Sequence, residues 1–244
     1  MIFHTWMATV IYWIGMACLL TLPMRSDHWV AWMGVAFLVA QLGALEITVG
    51  LHRLFSHRCF KVSNFWHKTF LLATIPIGFG SSIQWAAMHY LHHKHSDTNL
   101  DPHKNGGHLR SLIHRKYEMP AGQNRLPAPA ARLVGDEWHM FVHSYYVPLW
   151  IGFTLACLAV FPEFTMNGLL PGLGFLHFMS GMHEYATHKK NRQGSRDIPW
   201  LEFILPFAGE WYHKYHHIRP GEKRFGKFDI GAKFINLIEQ RSSL

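Results

Sequence analysis

The chain has 244 residues, with 23 Lys and Arg against 15 Asp and Glu, for a formal net charge of +8. Charged residues make up 16% and aromatic residues 15%, which excludes a disordered chain and sits poorly with a soluble domain, where about 25% charged is usual. Three scattered cysteines (Cys18, Cys59, Cys157) form no CxxC and speak against a disulfide framework or a thiolate zinc site, whereas histidine, at 20 residues, far exceeds what folding requires.

Four apolar stretches follow one another along the chain. Residues 6–24 carry no charge, residues 29–51 carry only Glu46, and residues 145–161 are again uncharged. Residues 168–187 are apolar as far as Met182 and continue through a polar extension, His183 to His188. A hydrocarbon core of about 30 Å needs about 20 helical residues, so each stretch reads as a membrane span. The first lacks a basic n-region and is followed at once by a second span, which argues against a cleaved signal peptide. Residues 65–88 are also apolar but are broken by Lys68, Pro76, Gly78 and Gly80. They read as a helix pair lying against the membrane or as a re-entrant element. Pro120–Ala131 reads as a loop.

Charge placement points the same way. Residues 52–144 hold 11 Lys and Arg, the tail after His188 holds 11, and Arg25 alone lies between the first two spans. Four spans put both basic regions and both termini on one side, which the positive-inside rule makes cytosolic. The basic balance therefore reflects topology and attraction to anionic headgroups, and no nucleic-acid partner is expected. The predicted fold is a single all-α integral membrane domain over residues 1–244. Its cytosolic regions, 52–144 and 188–244, form a helical cap.

Three histidine groups fall on that cytosolic side. The first is His52 and His57, directly after span two; the second is His89, His92 and His93; the third is His213, His216 and His217. The second and third share offsets of 0, 3 and 4, which place three imidazoles within about 100° on one helix face. His52 and His57 subtend about 140° on a regular helix. They either serve two different metal atoms or sit where the helix ends. Eight histidines exceed the four ligands of one tetrahedral ion and suit two ions. The remaining histidines, His67, His103, His139, His143 and His177 among them, read as surface, interfacial or hydrogen-bonding residues.

These boxes, in this order and spacing, resemble the membrane fatty acid desaturases, in particular their Δ9, stearoyl-CoA desaturase-like branch. The likeness extends to TVGLHRLFSHR (48–58), to WAAMHYLHHKHSDTNLDPH (85–103), and to MFVHSYYVP (140–148). It continues through GEWYHKYHH (209–217) and Phe228-Asp229-Ile230. In that family a ninth histidine ligand ends the fourth span, and an asparagine four residues earlier holds a metal-bound water. Here His188 matches the ligand and Glu184 the asparagine, with His183 as a competing candidate. Glu210 is a candidate to support a ligand from behind.

The resemblance implies a non-haem di-iron centre with O2 as co-substrate and two external electrons, introducing a double bond into an acyl chain. Electrons would come from a separate donor such as ferredoxin or cytochrome b5. The chain carries Met88 and Tyr90 where the acyl-CoA branch has an Asp and an Arg around the first box-two histidine. That moves the expected carrier from acyl-CoA toward acyl-lipid or acyl-carrier protein. The alternative is a histidine-box hydroxylase of an alkyl, sterol or carotenoid substrate.

Overall fold

A computed structural model describes residues 6–103, 109–113, 123, 125–188 and 194–240. His4, His108 and His114, sorted above with the bystander histidines, and part of the Pro120–Ala131 loop lie outside them. Among the described residues the regular elements are all helical, and one isolated bridge pairs Val62 with Glu239.

The first helix, α1 (Trp6–Leu20), buries Met7, Ile11, Gly15 and Cys18 and leaves Trp6, Val10, Trp13 and Ile14 exposed. The buried positions recur every three or four residues, as one face of a helix requires. The predicted 6–24 span breaks at Thr21, and a short turn, Leu22–Arg25, follows with Pro23 inside it. The second helix, α2 (Trp29–Leu45), faces inward with Ala36, Ala40, Gly43 and Ala44, while Val30, Leu38 and Leu42 face out. It runs on without a break as a π-helical segment, Glu46–Ser56.

The interrupted stretch 65–88 is the predicted helix pair, α3 (Asn64–Ile77) and α4 (Ser82–His95), bent by 83°. Gly78 and Gly80, at φ 73° and 93°, make the elbow. Its loose backbone groups are satisfied by side chains. Gly80 N–H donates to the Tyr146 hydroxyl (3.1 Å), which donates to the Thr74 carbonyl (2.7 Å), and His177 Nε2–H donates to Ile77 O (3.0 Å). A buried elbow needs such partners, because no bulk water is there to supply them.

Beyond it come α5 (Ala128–Val134), α6 (Glu137–Ser144) and α7 (Tyr146–Val160), with α6 and α7 bent by 72°. The central helix is α8 (Leu170–Thr187). The expected link Pro162–Asn167 is itself helical and leads straight into α8, so this helix starts at Pro162 rather than 168. Three short helices follow it, Leu201–Ile204, α9 (His213–Ile218) and α10 (Ile230–Ile238).

Glycines let α8 pack closely between α1 and α2. A Cβ on Gly15 would lie 2.4 Å from Gly174 N, and one on Gly172 would lie 2.7 Å from Ala36 O. Small residues at crossings are how helices gain contact where lipid offers no hydrophobic driving force. Among the described residues one helix, Trp29–Ser56, is by itself long and apolar enough to cross a membrane, and the two bent pairs pass the same test only as pairs. α8 does not pass, since Gly172, Gly174, Gly181, His177, His183 and Glu184 lower its apolar character.

Candidate metal centre

The two histidine triads divide in a complementary way. His89 and His93 of α4 join His52, His57 and His216 in one group, and His213 and His217 of α9 join His92 and His188 in a second. Each triad thus gives an i, i+4 pair to one group and its odd member to the other. The groups abut, with the rings of His93 and His217 stacked at 4.4 Å.

In the first group the Nε2 atoms form a chain. His52 lies 2.8 Å from His216, His216 2.8 Å from His93, His93 3.0 Å from His89, and His89 2.7 Å from His57. In the second, His213 Nε2 is 2.9 Å from His188 Nε2 and 3.0 Å from His217 Nε2. Two nitrogens each about 2.1 Å from one metal and at right angles would be about 3.0 Å apart. Burial, followed by the neighbouring imidazoles, lowers the pKa of His89, His92, His93, His213 and His216, brings His217 to about 3 and takes His57 to about 2. These imidazoles are neutral at physiological pH and carry lone pairs toward one another, an arrangement a divalent cation relieves. The donor set therefore fits two metal ions.

The wide helical turn explains the spacing of the first box. His57 N–H donates to His52 O at 3.0 Å, an i→i+5 bond, so residues five apart stack as i, i+4 pairs do in an α-helix. His57 also caps the end of the segment. The expectation that these two histidines could serve different metals is corrected, because both enter the same group.

Carboxylates hold three imidazoles from behind. His52 Nδ1–H donates to Glu210 (2.9 Å), His92 Nδ1–H to Asp101 (3.0 Å), and His188 Nδ1–H to Asp97 (2.9 Å). Each bond fixes the tautomer that turns the Nε2 lone pair toward the group. Burial pushes Glu210 up, but His52 and then Arg53 outweigh it and hold the carboxyl down at about 2. Arg53, fully buried, also pairs with Asp229 at 3.0 Å, and Asp229 caps α10 through Ala232 N. The tail motif is thereby tied to the first box. Sequence reasoning passed over Asp97 and Asp101; the available signal was two acids four residues apart in the turn after box two.

The remaining candidates occupy distinct places. His183 Nε2–H donates to the Glu210 carbonyl (2.9 Å), so it supports the backbone carrying Glu210, while its ring also packs 4.5 Å from His213. Glu184 is buried, one turn before His188, with His103 Nδ1 3.3 Å from its carboxylate. His103, read above as a bystander, stacks on His92 at 4.3 Å. A tight cavity of about 50 Å³ touches both groups and is lined by Trp85, Glu184 and Phe207, among others. On the other side, a cavity of about 430 Å³ reaches His57, His93 and His217 past Tyr90, Lys94 and Pro220.

No protein-family model matches the chain. It is similar to the sn-1 stearoyl-lipid 9-desaturase of Synechocystis sp., at 29% identity over 231 residues, covering 89% of this chain and 71% of that protein. Stearoyl-CoA desaturase 2 of Mus musculus is 28% identical over 76% of this chain and 56% of its own length. The sn-1 stearoyl-lipid 9-desaturase of Anabaena variabilis is 30% identical over 211 residues, covering 81% of this chain and 75% of that protein. With relatedness on that scale joined to three histidine boxes gathered around one centre, this chain belongs to the fatty acid desaturases, in their Δ9 branch.

Proposed function

We propose that the chain is an O2-dependent membrane desaturase that introduces a Δ9 double bond into the acyl chain of a lipid. Two iron ions would be held by His52, His57, His89, His93 and His216 on one side and by His92, His188, His213 and His217 on the other. The observation that carries this reading is the convergence of nine imidazoles in two abutting groups, three of them braced by buried carboxylates. Iron so bound supplies the oxidising power that acid–base side chains lack for an unactivated C–H bond. Overall, two hydrogens leave adjacent methylenes, and O2 with two electrons and two protons ends as two waters.

The chain's own residues do the rest. Glu210, Asp101 and Asp97 orient the ligands, and burial of His52, His89, His92, His188, His213 and His216 shields that part of the centre from bulk water. Phe79, Trp85 and Met88 line a second small cavity against His89 and His103, an apolar approach for an acyl chain. At about 20 Å³ it is far narrower than such a chain, so substrate must part these side chains to enter. Met88 and Tyr90, together with the stearoyl-lipid relatives, support a lipid-borne substrate. The cavity past Tyr90 and Lys94 offers an external electron donor an approach to His57, His93 and His217.

We propose four spans, built on α1, α2, α7 and the helix from Pro162 through α8, with the histidine-bearing regions and both termini cytosolic. The test is the fatty-acid profile of a host expressing the chain, by gas chromatography–mass spectrometry after double-bond derivatisation. A new Δ9 acid should appear with the wild type and be absent with His216→Ala. An alcohol in its place would transfer the centre to hydroxylation, and product surviving His216→Ala would remove that residue from the ligand set.

A further inference from the structure

A concave site separate from the histidine centre lies between the exit of the first box, the start of α3, and α5 and α6. Its cavity measures about 380 Å³ and is lined by Arg58, Lys61, Arg132, His67, His139 and Asp136, over a floor that includes Phe55 and Leu133. Three cations thus face one carboxylate. Asp136 is already engaged, since its Oδ1 accepts from the N–H groups of Trp138 and His139 at the start of α6. Among the described residues, the Arg58 and Lys61 side chains have neither hydrogen bond nor ion pair. Arg58 holds an unfavourable backbone, φ 55°, as a non-glycine residue. Burial and then the adjacent Arg58 guanidinium lower the pKa of Arg132.

The histidines add hydrogen-bonding capacity. His67 and His139 Nε2 are 2.9 Å apart, and His139 Nδ1 is 2.6 Å from Ser82 Oγ. These two rings and Asp136 also place three ligand-capable atoms within 4.8 Å of one another. The three surrounding cations oppose a divalent metal there and favour an anion. The other face of α6 settles which kind. Trp138, Phe141 and Tyr145 repeat at i, i+3 and i+7 and are about half exposed, with Lys68 over the Trp138 ring at 4.7 Å. α6 also turns 72° from α7, a steep angle for a helix leaving a span. Such an aromatic, turned-aside helix belongs at the headgroup level of a bilayer, which puts the cavity at phosphate depth.

We propose that the cavity bounded by Arg58, Lys61, Arg132, His67 and His139 binds the phosphate of an anionic membrane lipid. The site rests on the membrane reading above but not on the metal centre. It would anchor the cap to the bilayer next to the first histidine box, since Arg132 Nη2–H also donates to Phe55 O at 2.8 Å.

The test is native mass spectrometry of the detergent-purified full chain with phosphatidylglycerol, with diacylglycerol as the phosphate-free control. The comparison is between wild type and the double variant Arg58→Gln/Lys61→Gln. Wild type should retain phosphatidylglycerol and not diacylglycerol, and the double variant should bind at least about 10-fold more weakly with an unchanged lipid-free melting temperature. Millimolar inorganic phosphate should leave the lipid in place; displacement by it would overturn the lipid and make free phosphate the ligand of the same residues. Equal retention by wild type and variant would overturn the site. So would an additional bound zinc that His67→Ala removes. Fatty-acid profiles of the same preparations keep the two readings apart: product with equal lipid retention fails only this site, and lipid retention without product fails only the desaturase.

Discussion

α7 and α8 are neighbours joined by two helical turns, and their surroundings are opposite. In α7 only Tyr146 is buried, and Ile151, Leu155 and Val160 stand exposed along its length. In α8, 14 of 18 residues are buried, so protein rather than lipid meets it on almost every side. α7 is correspondingly apolar all round, whereas α8 carries three glycines, two histidines and Glu184. A helix bathed in lipid must be apolar on every face. One wrapped in protein can use small residues for close crossings and bring ionisable groups to a site.

The comparison can be broken most severely at a crossing. Gly174→Leu would drive a side chain into the backbone of Gly15 and Met16, where a Cβ alone already meets atoms at 2.4 and 2.6 Å. Backbone cannot step aside, so the loss should reach or exceed the top of the about 1–3 kcal/mol range for overpacking. The expected readout is an aggregated peak in detergent size-exclusion with little folded protein. A normal monodisperse peak would contradict the crossing.

A smaller effect is expected where α8 meets the metal centre. Glu184→Asn keeps the side-chain length short of one methylene and retains an oxygen near His103, so product formation should fall by less than about 10-fold with metal content unchanged. Elemental analysis beside the product assay checks this, and an inactive, metal-depleted variant would make Glu184 a direct ligand. The smallest effect belongs to α7. A Cβ on Gly152 meets nothing within 4 Å, so Gly152→Leu should leave the melting temperature and the product level within error. A clear destabilisation there would mean that α7 is covered.

Composition made part of this contrast readable before any coordinates. The HxxHH offsets placed three rings on one face of α4 and of α9, and the interrupted stretch 65–88 is a bent helix pair. Other features left no periodic trace. Asp97 and Asp101 lie in a turn, where neither hydropathy nor helical spacing marks them. His103 and His139 read as surface, interfacial or hydrogen-bonding residues, and nothing in the spacing marked that one stacks on His92 or that the other is fully buried against Ser82. The helical start at Pro162 was hidden because proline is permitted in a first turn and reads equally well as a loop.

The π-helical segment Glu46–Ser56 carries a consequence of a different kind. It divides one continuous helix into two halves with independent angular phase, the upper set by lipid and by the crossing with α8, the lower by the histidine centre. Substitutions anywhere along it change contacts but leave that phase alone. Removing a single residue between His52 and His57 while the wide winding persists would rotate one ring relative to the other by roughly a quarter turn. Over these eleven residues, chain length is therefore under tighter constraint than chemistry.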